Sequence, residues 1–342
     1  LKVRRVLSFD DVLIVPRYSE LKTRKSIDIS VDHPGFNSAL RIPIVSAPMD
    51  SITESHMAST IDSVGGLGII HRYNSIEEQE GLVHRCYTAG ASNVGAAVGV
   101  TGDYRERAQV LAKAGANVIC VDVAHGHHEL MKNCLKSLRE DLGDSVHIMA
   151  GNVATLEGFN DLSDWGADSI RVGIGGGSIC STRLQTGHGV PTLQSVIDCA
   201  KSDRNALLIA DGGIKNSGDM VKALAAGADL LMCGSLLSGT NETPGEIIQT
   251  AGGQKNKVYR GMASREAQKS WRNAVGSIEG IATTVAAKGP VTNVLLDLSW
   301  GIKSGLSYSG ASNLSEFRST AVFVEQSPAG AKESSTHILS VN

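Results

Sequence analysis

The amino-acid sequence predicts a (β/α)8 (TIM) barrel, and three observations support this fold class. Eight short apolar stretches recur along the chain, and most are separated by enough residues for a helix. A chain of 342 residues is long enough for one large barrel or for two average domains. The 38 glycines and only 4% aromatic residues suit many short loops between strands and helices. The alternative, a doubly wound open sheet, requires a reversal of strand order that we do not find in the sequence.

The elements follow one another in a regular order. The chain starts with an N-terminal arm, LSFDDVLIVPRYS, whose apolar run is ended by Pro16. Helical patterns such as DYRERAQVLAKAGA and SGDMVKALAAGA stand between the apolar stretches. The eight predicted strands lie within residues 43–47, 65–73, 94–100, 117–126, 146–155, 169–174, 207–215 and 230–237. We therefore predict a single barrel domain over residues 1–342.

The composition argues against several classes of protein. The 32 basic and 35 acidic residues give a formal charge of -3 without a long basic run, so nucleic-acid binding has no electrostatic support. The six cysteines form no C-x-x-C pairs, which indicates neither a zinc ribbon nor a disulfide framework and is typical of a reducing compartment. No stretch has the apolar length of a membrane span or the apolar core of a secretion signal. We expect a cytoplasmic protein that binds neither nucleic acid nor membrane.

In a (β/α)8 barrel the chemistry lies in the loops at the carboxyl ends of the strands. Here these loops are rich in glycine and in groups that hydrogen-bond polar ligands. They comprise residues 46–51, His71, 122–126, Gly151 with Asn152, 175–183, 211–213, and Gly234 with Ser235. Phosphate commonly binds after the seventh and eighth strands, where the sequence has ADGGI and CGS, with Ser178 nearby. Asp211 at the same rim is a suitable acceptor for a ribose diol.

Residues 169–190 carry the main chemical signal. Their strand runs into three glycines at 175–177, which can turn backbone amides and carbonyls toward an ion or a phosphate. Cys180 follows, and a thiol becomes a nucleophile where its neighbours favour the thiolate. The common alternative is a buried cysteine that acts as a small hydrophobe, but the polar neighbours Ser178, Thr182 and Arg183 argue against it. A dinucleotide fingerprint is rejected, because no long helical pattern starts directly behind the glycines.

The string GSICSTR, followed by TGHGVP, resembles the catalytic loop of the IMP dehydrogenase and GMP reductase family. The resemblance extends from LSFDDVLIVP to the tail, and SAPMDSITE, GGLGIIHR, AHGH and ADGGIKNSGDMVKALAAGA are similar to IMP dehydrogenase segments. It implies that Cys180 attacks C2 of IMP, that hydride passes to NAD, and that the covalent XMP intermediate is hydrolysed. The implied role is a step of guanine nucleotide biosynthesis.

The resemblance also implies roles for individual residues. Those that match nucleotide-binding positions are Ser46, Met49, Ser178, Asp211, Gly213, Gly234, Ser235, Tyr259, Gly261 and Met262. Asp122, Asn152 and Gly173 match the side that faces nicotinamide; the less favoured alternative for Asp122 is a solvated loop acid. Thr182 and Glu279 match polar residues that activate water or protonate the leaving group.

A monovalent cation, usually potassium, binds loops of this family through backbone carbonyls. Gly175, Gly177 and Cys180 match those positions, and carbonyl oxygen is a suitable ligand for such an ion. The tail SPAGAKESSTHIL resembles a segment that completes the site from a neighbouring subunit, which makes Glu333 a candidate contributor. The alternative interpretation of this tail is a disordered polar terminus. A homotetramer is the assembly that the resemblance implies.

Two departures from the family pattern keep other functions open. Near residues 80–93 the chain has only a short junction, TAGASN, where most IMP dehydrogenases insert a pair of regulatory CBS modules. The mobile flap, approximately residues 260–292, is short and lacks the Arg-Tyr pair that activates water in the family. Arg272 is the nearest match to that arginine; its alternative is an arginine on a helix surface. The alternatives are therefore an NADPH-dependent GMP reductase that deaminates GMP to IMP, a nucleotide-binding protein without turnover, and, on fold alone, a flavin-dependent oxidoreductase.

Overall fold

The prediction of a (β/α)8 barrel is confirmed. A computed structural model describes residues 3–250, 252–272 and 275–334, and eight parallel strands close into a barrel in chain order. An N-terminal strand, β1 (Val12–Ile14), precedes them. The barrel strands are β2 (Ile44–Ser46), β3 (Leu67–Ile70), β4 (Gly95–Val98), β5 (Val118–Asp122), β6 (His147–Val153), β7 (Ser169–Val172), β8 (Leu207–Asp211) and β9 (Leu230–Cys233).

Helices surround the barrel between successive strands. The helices up to β9 are α1 (Ser55–Ser63), α2 (Ile76–Thr88), α3 (Tyr104–Lys113), α4 (Glu129–Leu142), α5 (Leu156–Asp164), α6 (Thr182–Thr186), α7 (Thr192–Cys199) and α8 (Ser217–Ala225). After β9 come α9 (Arg265–Arg272), α10 (Val291–Tyr308), α11 (Leu314–Thr320) and α12 (Pro328–Glu333). Helix α10 packs against α8 and α1 and completes the outer ring. The predicted junction near 80–93 falls on the second half of α2 and the turn to β4.

The strands are buried because helices cover their outer face while side chains fill the interior. Every residue of β3 and β4 is buried, as a parallel sheet covered on both faces requires. Helix starts are set by local polar residues: Ser75 and Glu78 form a capping box at α2, and Asn216 caps α8. These local signals explain why the alternation of strands and helices can be predicted from the sequence.

The predicted flap, approximately residues 260–292, overlaps a three-stranded antiparallel sheet with one helix that begins earlier in the chain, and the name flap is used below for this sheet and helix. It consists of β10 (Ile248–Gln249), β11 (Lys255–Arg260), α9 and β12 (Ala282–Ala286). Its base is held to the barrel by the buried Lys257 ammonium, which donates to the carbonyls of Thr240 and Thr243 at 3.2 and 2.5 Å. The flap therefore stands directly over the loop that follows β9.

The two ends of the chain meet. Strand β1 pairs antiparallel with β13 (Phe323–Glu325), and α12 packs beside residues 9–11. At the opposite end of the barrel from the flap, the buried His147 ring stacks on Phe36 and lies 3.1 Å from His33, nitrogen to nitrogen. Within the described residues, no helix is long and apolar enough to cross a membrane.

Candidate active site

A cavity of about 570 Å³ opens at the carboxyl ends of the barrel strands, beneath the flap. The loops after the strands and the flap supply its walls, so residues far apart in sequence meet there. The predicted site residues that line it are Met49, Asp122, Asn152, Gly173, Gly175, Gly177, Ser178, Cys180, Thr182, Asp211, Gly213, Gly234, Ser235, Tyr259, Gly261, Met262 and Glu279.

Two predicted site residues lie apart from this cavity, and the side chain of a third is not described. Ser46 is the last residue of β2 and is fully buried, with its hydroxyl 2.9 Å from that of Thr53, so it lies outside the cavity lining. Glu333 ends α12 on the surface, beside the N-terminal segment of its own chain. Arg272 ends α9, and its side chain lies outside the described residues. His71, from the predicted loops, is likewise buried and faces Glu54 at 3.3 Å.

Cys180 is the exposed cysteine of the six and opens into the cavity. Burial raises the pKa of Cys120, Cys134, Cys199 and Cys233 to about 12, so these thiols stay protonated. The alternative of a small buried hydrophobe is therefore wrong for Cys180. Cys233 also lines the cavity, but it is buried and its pKa is raised, so Cys180 is the thiol better placed to react with a ligand.

A hydrogen-bonded relay leads from the Cys180 thiol into the protein. The thiol donates to the Thr182 hydroxyl at 3.2 Å, and that hydroxyl donates to Glu279 Oε2 at 2.8 Å. Thr182 and Glu279 are 97 residues apart, and backbone pairing brings them together, because Ser181 N donates to Glu279 O and Ile281 N to Ile179 O. The relay can carry a proton from the sulfur to a carboxylate and back.

The glycine loop before Cys180 packs closely on β8. Gly173 adopts φ +146°, and a Cβ there would lie 2.0 Å from the Asp211 carbonyl oxygen, so only glycine fits. Arg183 braces the loop by donating to the carbonyls of Ile174 and Val190 at 3.1 and 2.7 Å. On the opposite wall, Ser178 Oγ lies 3.3 Å from the hydroxyl of Tyr259. The cysteine loop is thus held in place on both sides.

The floor of the cavity contains a buried ionic network centred on Arg171. This arginine lies on β7, and its guanidinium contacts Asp122 Oδ1 at 2.5 Å and Asp211 Oδ2 at 2.9 Å. Asn152 also donates to Asp211 Oδ2, at 2.8 Å. Burial raises the pKa of Asp122, but the Arg171 and Arg72 charges outweigh it and the net shift is downward. Asp122 is therefore an ion-paired carboxylate and not a solvated loop acid.

Sequence reasoning missed Arg171. The available signal was a charged residue between the apolar Ile170 and Val172 of the predicted buried strand, since arginine is almost never fully buried without a partner. It also missed Tyr73 and Trp271, whose ring centroids lie 4.9 Å apart at the edge of the cavity, with the Arg72 guanidinium 5.0 Å from the Tyr73 ring. Trp271 belongs to α9, so the flap contributes to this wall.

A second cavity of about 630 Å³ adjoins the first on the side of Asp122. The two share Arg72, Tyr73, Val123 and Trp271 in their walls. The second cavity is further lined by Glu78, Asp103 and Arg107, together with Thr101 and Ser75. A long ligand that starts beside Cys180 can extend past Asp122 into this space.

Backbone carbonyls near Gly175, Gly177 and Cys180 are the predicted cation ligands. Gly177 O accepts the Cys180 amide at 3.1 Å, which makes a tight turn at this point. Among the side chains that the structure describes, no group of three or more His, Cys, Asp or Glu residues is arranged to hold a metal ion.

Comparison with known proteins gives a consistent picture. The family model described as "IMP dehydrogenase / GMP reductase domain" matches residues 6–337. An inosine-5'-monophosphate dehydrogenase from Nitrosopumilus maritimus is 33% identical, over 97% of this chain and 98% of the relative. A GMP reductase from Leishmania major is 31% identical, over 98% and 97%. These alignments run over 468 and 479 positions, more than the 342 residues here, so both relatives contain segments that this chain lacks.

A solved structure is also similar over nearly the whole chain. It is that of GMP reductase from Trypanosoma brucei in complex with guanosine 5'-monophosphate, and it matches with a TM-score of 0.92 and 31% identity. The match covers 98% of each chain.

Proposed function

The chain belongs to the IMP dehydrogenase / GMP reductase family of oxidoreductases, and we propose that it oxidises IMP to XMP with NAD through a covalent adduct on Cys180. The observation that carries this proposal is the relay from the exposed Cys180 thiol through Thr182 to Glu279. A nucleophilic cysteine needs a base for its proton, and the relay provides one within the cavity.

The residues of the relay account for the proton movements. Glu279 takes the thiol proton through Thr182, and the thiolate sulfur bonds to C2 of the purine. A bound NAD would supply the acceptor for the hydride from C2. Water then attacks the same carbon, the C–S bond breaks, and the relay returns a proton to the sulfur. The overall change is IMP, NAD⁺ and water to XMP, NADH and a proton.

The walls on either side of Cys180 would hold the nucleotide. We infer that Asp211 accepts hydrogen bonds from the ribose hydroxyls, and that Gly213, Gly234, Ser235 and Ser178 surround the phosphate. Tyr259, with Met49, Gly261 and Met262, would close over the base. The similarity to a GMP reductase solved with guanosine 5'-monophosphate supports a purine nucleotide in this place.

The second cavity is compatible with the distal half of NAD. Glu78, whose Oε2 accepts from Ser75 N, and Asp103, which is paired with Arg107, place carboxylates on this wall that would disfavour an added phosphate. The Arg107 guanidinium is already engaged by Asp103, Gln79 and the carbonyl of Asn74. These contacts support NAD over NADPH, with Asp122, Asn152 and Gly173 on the nicotinamide side.

Potassium and the assembly belong to the same proposal. The carbonyls of Gly175, Gly177 and Cys180 would bind K⁺, and Glu333 would reach the site of a neighbouring subunit in a homotetramer in the cytoplasm. Glu333 is exposed at the end of α12, so its carboxylate is accessible to another chain. Arg272 is proposed as a further group that activates water.

GMP reductase is the second candidate, and a specific observation favours it. The relay offers one carboxylate for proton transfer, and the flap sequence lacks the Arg-Tyr pair. Reductive deamination of GMP needs a single proton for the departing amine, and the proton taken from Cys180 supplies it. The similarity to named GMP reductases is comparable to that for IMP dehydrogenases.

Product identification separates the candidates. We expect IMP with NAD and potassium to yield NADH and XMP, and Cys180→Ala to yield neither. Turnover of GMP with NADPH to IMP and ammonia, without turnover of IMP, would overturn the oxidative direction. Absence of turnover with both pairs, together with tight IMP binding and no adduct at Cys180, would indicate a binding protein and overturn the enzymatic proposal.

A further inference from the structure

Lys288, two residues after β12, connects the end of the flap to the loop that follows β9. Its ammonium donates to the carbonyl oxygens of Ser235 and Leu236 at 3.1 and 3.2 Å. Ser235 lines the candidate cavity, whereas Lys288 lies outside the lining of both cavities. A positive charge therefore holds a wall of the cavity from outside it.

The loop after β9 begins as one helical turn. The carbonyl of Gly234 accepts hydrogen bonds from the amides of Leu237 and Ser238, both at 3.0 Å. In such a turn the N–H groups point toward its start and the carbonyls toward its end. Across residues 3–250, 252–272 and 275–334, the amides of Ser235 and Leu236 have no protein acceptor. These donors remain available at the start of the turn, where Gly234 and Ser235 line the cavity.

The ammonium acts on the same peptide units that carry free donors. The Ser235 carbonyl and the Leu236 amide belong to one planar trans peptide, so they point in opposite directions. When Lys288 fixes this carbonyl, it also fixes the direction of the Leu236 N–H. A cation at the carbonyl end polarises the peptide unit as well and strengthens the N–H as a donor to an anion.

The backbone around Lys288 is fixed by the loop that its side chain contacts. The Lys288 amide donates to Gly239 O at 2.8 Å, and the Asn241 amide donates to Gly289 O at 2.9 Å. Gly239 has φ +80°, and a Cβ there would lie 2.3 Å from the carbonyl oxygen of Ala286, so this segment and the loop are in close contact. The lysine stem therefore starts from a fixed point, and less freedom is lost when the ammonium binds the carbonyls.

We propose that Lys288 is a positioning residue for the nucleotide phosphate, because its ammonium orients the peptide units after Ser235 so that their amides face the phosphate. The inference rests on the proposed function for the placement of the phosphate beside Gly234 and Ser235. It has a consequence that general stabilisation of the fold would not have. Lys288 contributes to the affinity for a nucleotide and not to the affinity for the corresponding nucleoside.

The test compares IMP with inosine, which lacks the phosphate. Binding to the full chain is measured by calorimetry without any cofactor, with inosine measured as a competitor of IMP. Lys288→Met keeps the length of the side chain and removes its charge. The Kd for IMP should rise about threefold to tenfold, a modest factor because the charge-assisted contacts are exposed to water. The Kd for inosine should change by less than about twofold.

Two further variants separate the role of the charge from damage to the fold. Lys288→Arg keeps a cationic donor and should return the Kd for IMP to within about twofold of wild type. The matched control is Lys255→Met, which changes an exposed lysine at the start of β11 and should leave both dissociation constants within about twofold.

Two results would overturn the inference. An unchanged Kd for IMP in Lys288→Met would mean that the ammonium does not act on the phosphate, and an equal rise for IMP and inosine would indicate a general structural role. If Lys288→Met does not fold, Lys288→Gln, which removes the charge and keeps a polar head, is judged by the same two criteria.

Failure of the proposed function gives a different result and is visible in the wild type. A wild-type protein that binds neither IMP nor GMP overturns the proposed function and this inference with it. A wild type that prefers GMP corrects the nucleotide, and the series is then measured with GMP and guanosine. A wild type that binds the nucleotide no better than the nucleoside overturns the placement of the phosphate and therefore the role of Lys288.

Discussion

Arg260 at the end of β11 forms an ion pair with Asp50 in the loop after β2. The guanidinium Nη2 and Nε atoms lie 2.5 and 3.0 Å from Asp50 Oδ2, and both side chains are largely shielded from water. The Arg260 backbone amide also donates a hydrogen bond to the Ser51 hydroxyl at 3.2 Å. This pair holds the flap strand to the barrel, next to Tyr259 and Met262 on the proposed nucleotide side of the cavity.

Arg260→Lys should loosen the flap. Lysine keeps the charge but lacks the fork, so we expect faster proteolytic cleavage within residues 261–281 and a fall of about tenfold in kcat/KM. Limited proteolysis and steady-state kinetics check this. The matched control is Arg105→Lys in the surface pair with Asp141. Equal cleavage rates and kinetics in wild type and Arg260→Lys would contradict the role of the pair.

Cys180→Ala should abolish turnover while nucleotide binding changes by less than about threefold, because the phosphate and ribose contacts lie elsewhere in the cavity. Intact-mass measurement after incubation with iodoacetamide should show one fast alkylation in the wild type and none in the variant. Cys134→Ala, which changes a buried cysteine of α4, should retain both turnover and alkylation. A folded Cys180→Ala protein with normal turnover would refute the covalent role.

Thr182→Val should interrupt the relay between sulfur and carboxylate. We expect kcat to fall about 10²-fold to 10⁴-fold with a small change in KM, since the loss concerns proton transfer and not binding. Thr182→Ser restores a hydroxyl at the same position and should recover most of the rate. If valine and serine lower kcat equally, the hydroxyl has no part in the reaction.

His147 should make the fold sensitive to acid. Burial lowers its pKa to about 3, against about 6.5 in the unfolded chain. Between these values the unfolded chain binds more protons, so the free energy of unfolding falls as pH falls, by up to about 1.4 kcal/mol per pH unit. Thermal melts from pH 4 to 6.5 should show this slope, and His147→Gln should flatten it.

The control for this measurement is His84→Gln on the exposed face of α2, which should keep the wild-type slope. Should His147→Gln keep the same slope as wild type between pH 4.5 and 6.5, the acid sensitivity would have another source.

The sequence by itself determined the barrel and most of the cavity lining. Apolar strands alternate with amphipathic helices, and this periodicity is local, so eight strands can be counted without coordinates. Because the carboxyl ends of parallel strands face one mouth, loop residues such as Asp122, Cys180 and Asp211 could be predicted to converge. The glycines before Cys180 identified the loop whose backbone can come closest to a bound ligand.

The tertiary structure alone decided which side chains touch. The contact of Thr182 with Glu279 depends on how the flap folds back, which no local pattern encodes. The contacts of Arg171 with Asp122 and Asp211 depend on how β7 lies relative to β5 and β8 in the closed barrel. Ser46, predicted in the loop 46–51, is the last residue of β2; it is buried beside Thr53 and lies outside the cavity lining. Successive side chains along a strand point to opposite faces of the sheet. Which of the two faces meets the cavity is set by the closure of the barrel, and that closure depends on long-range packing.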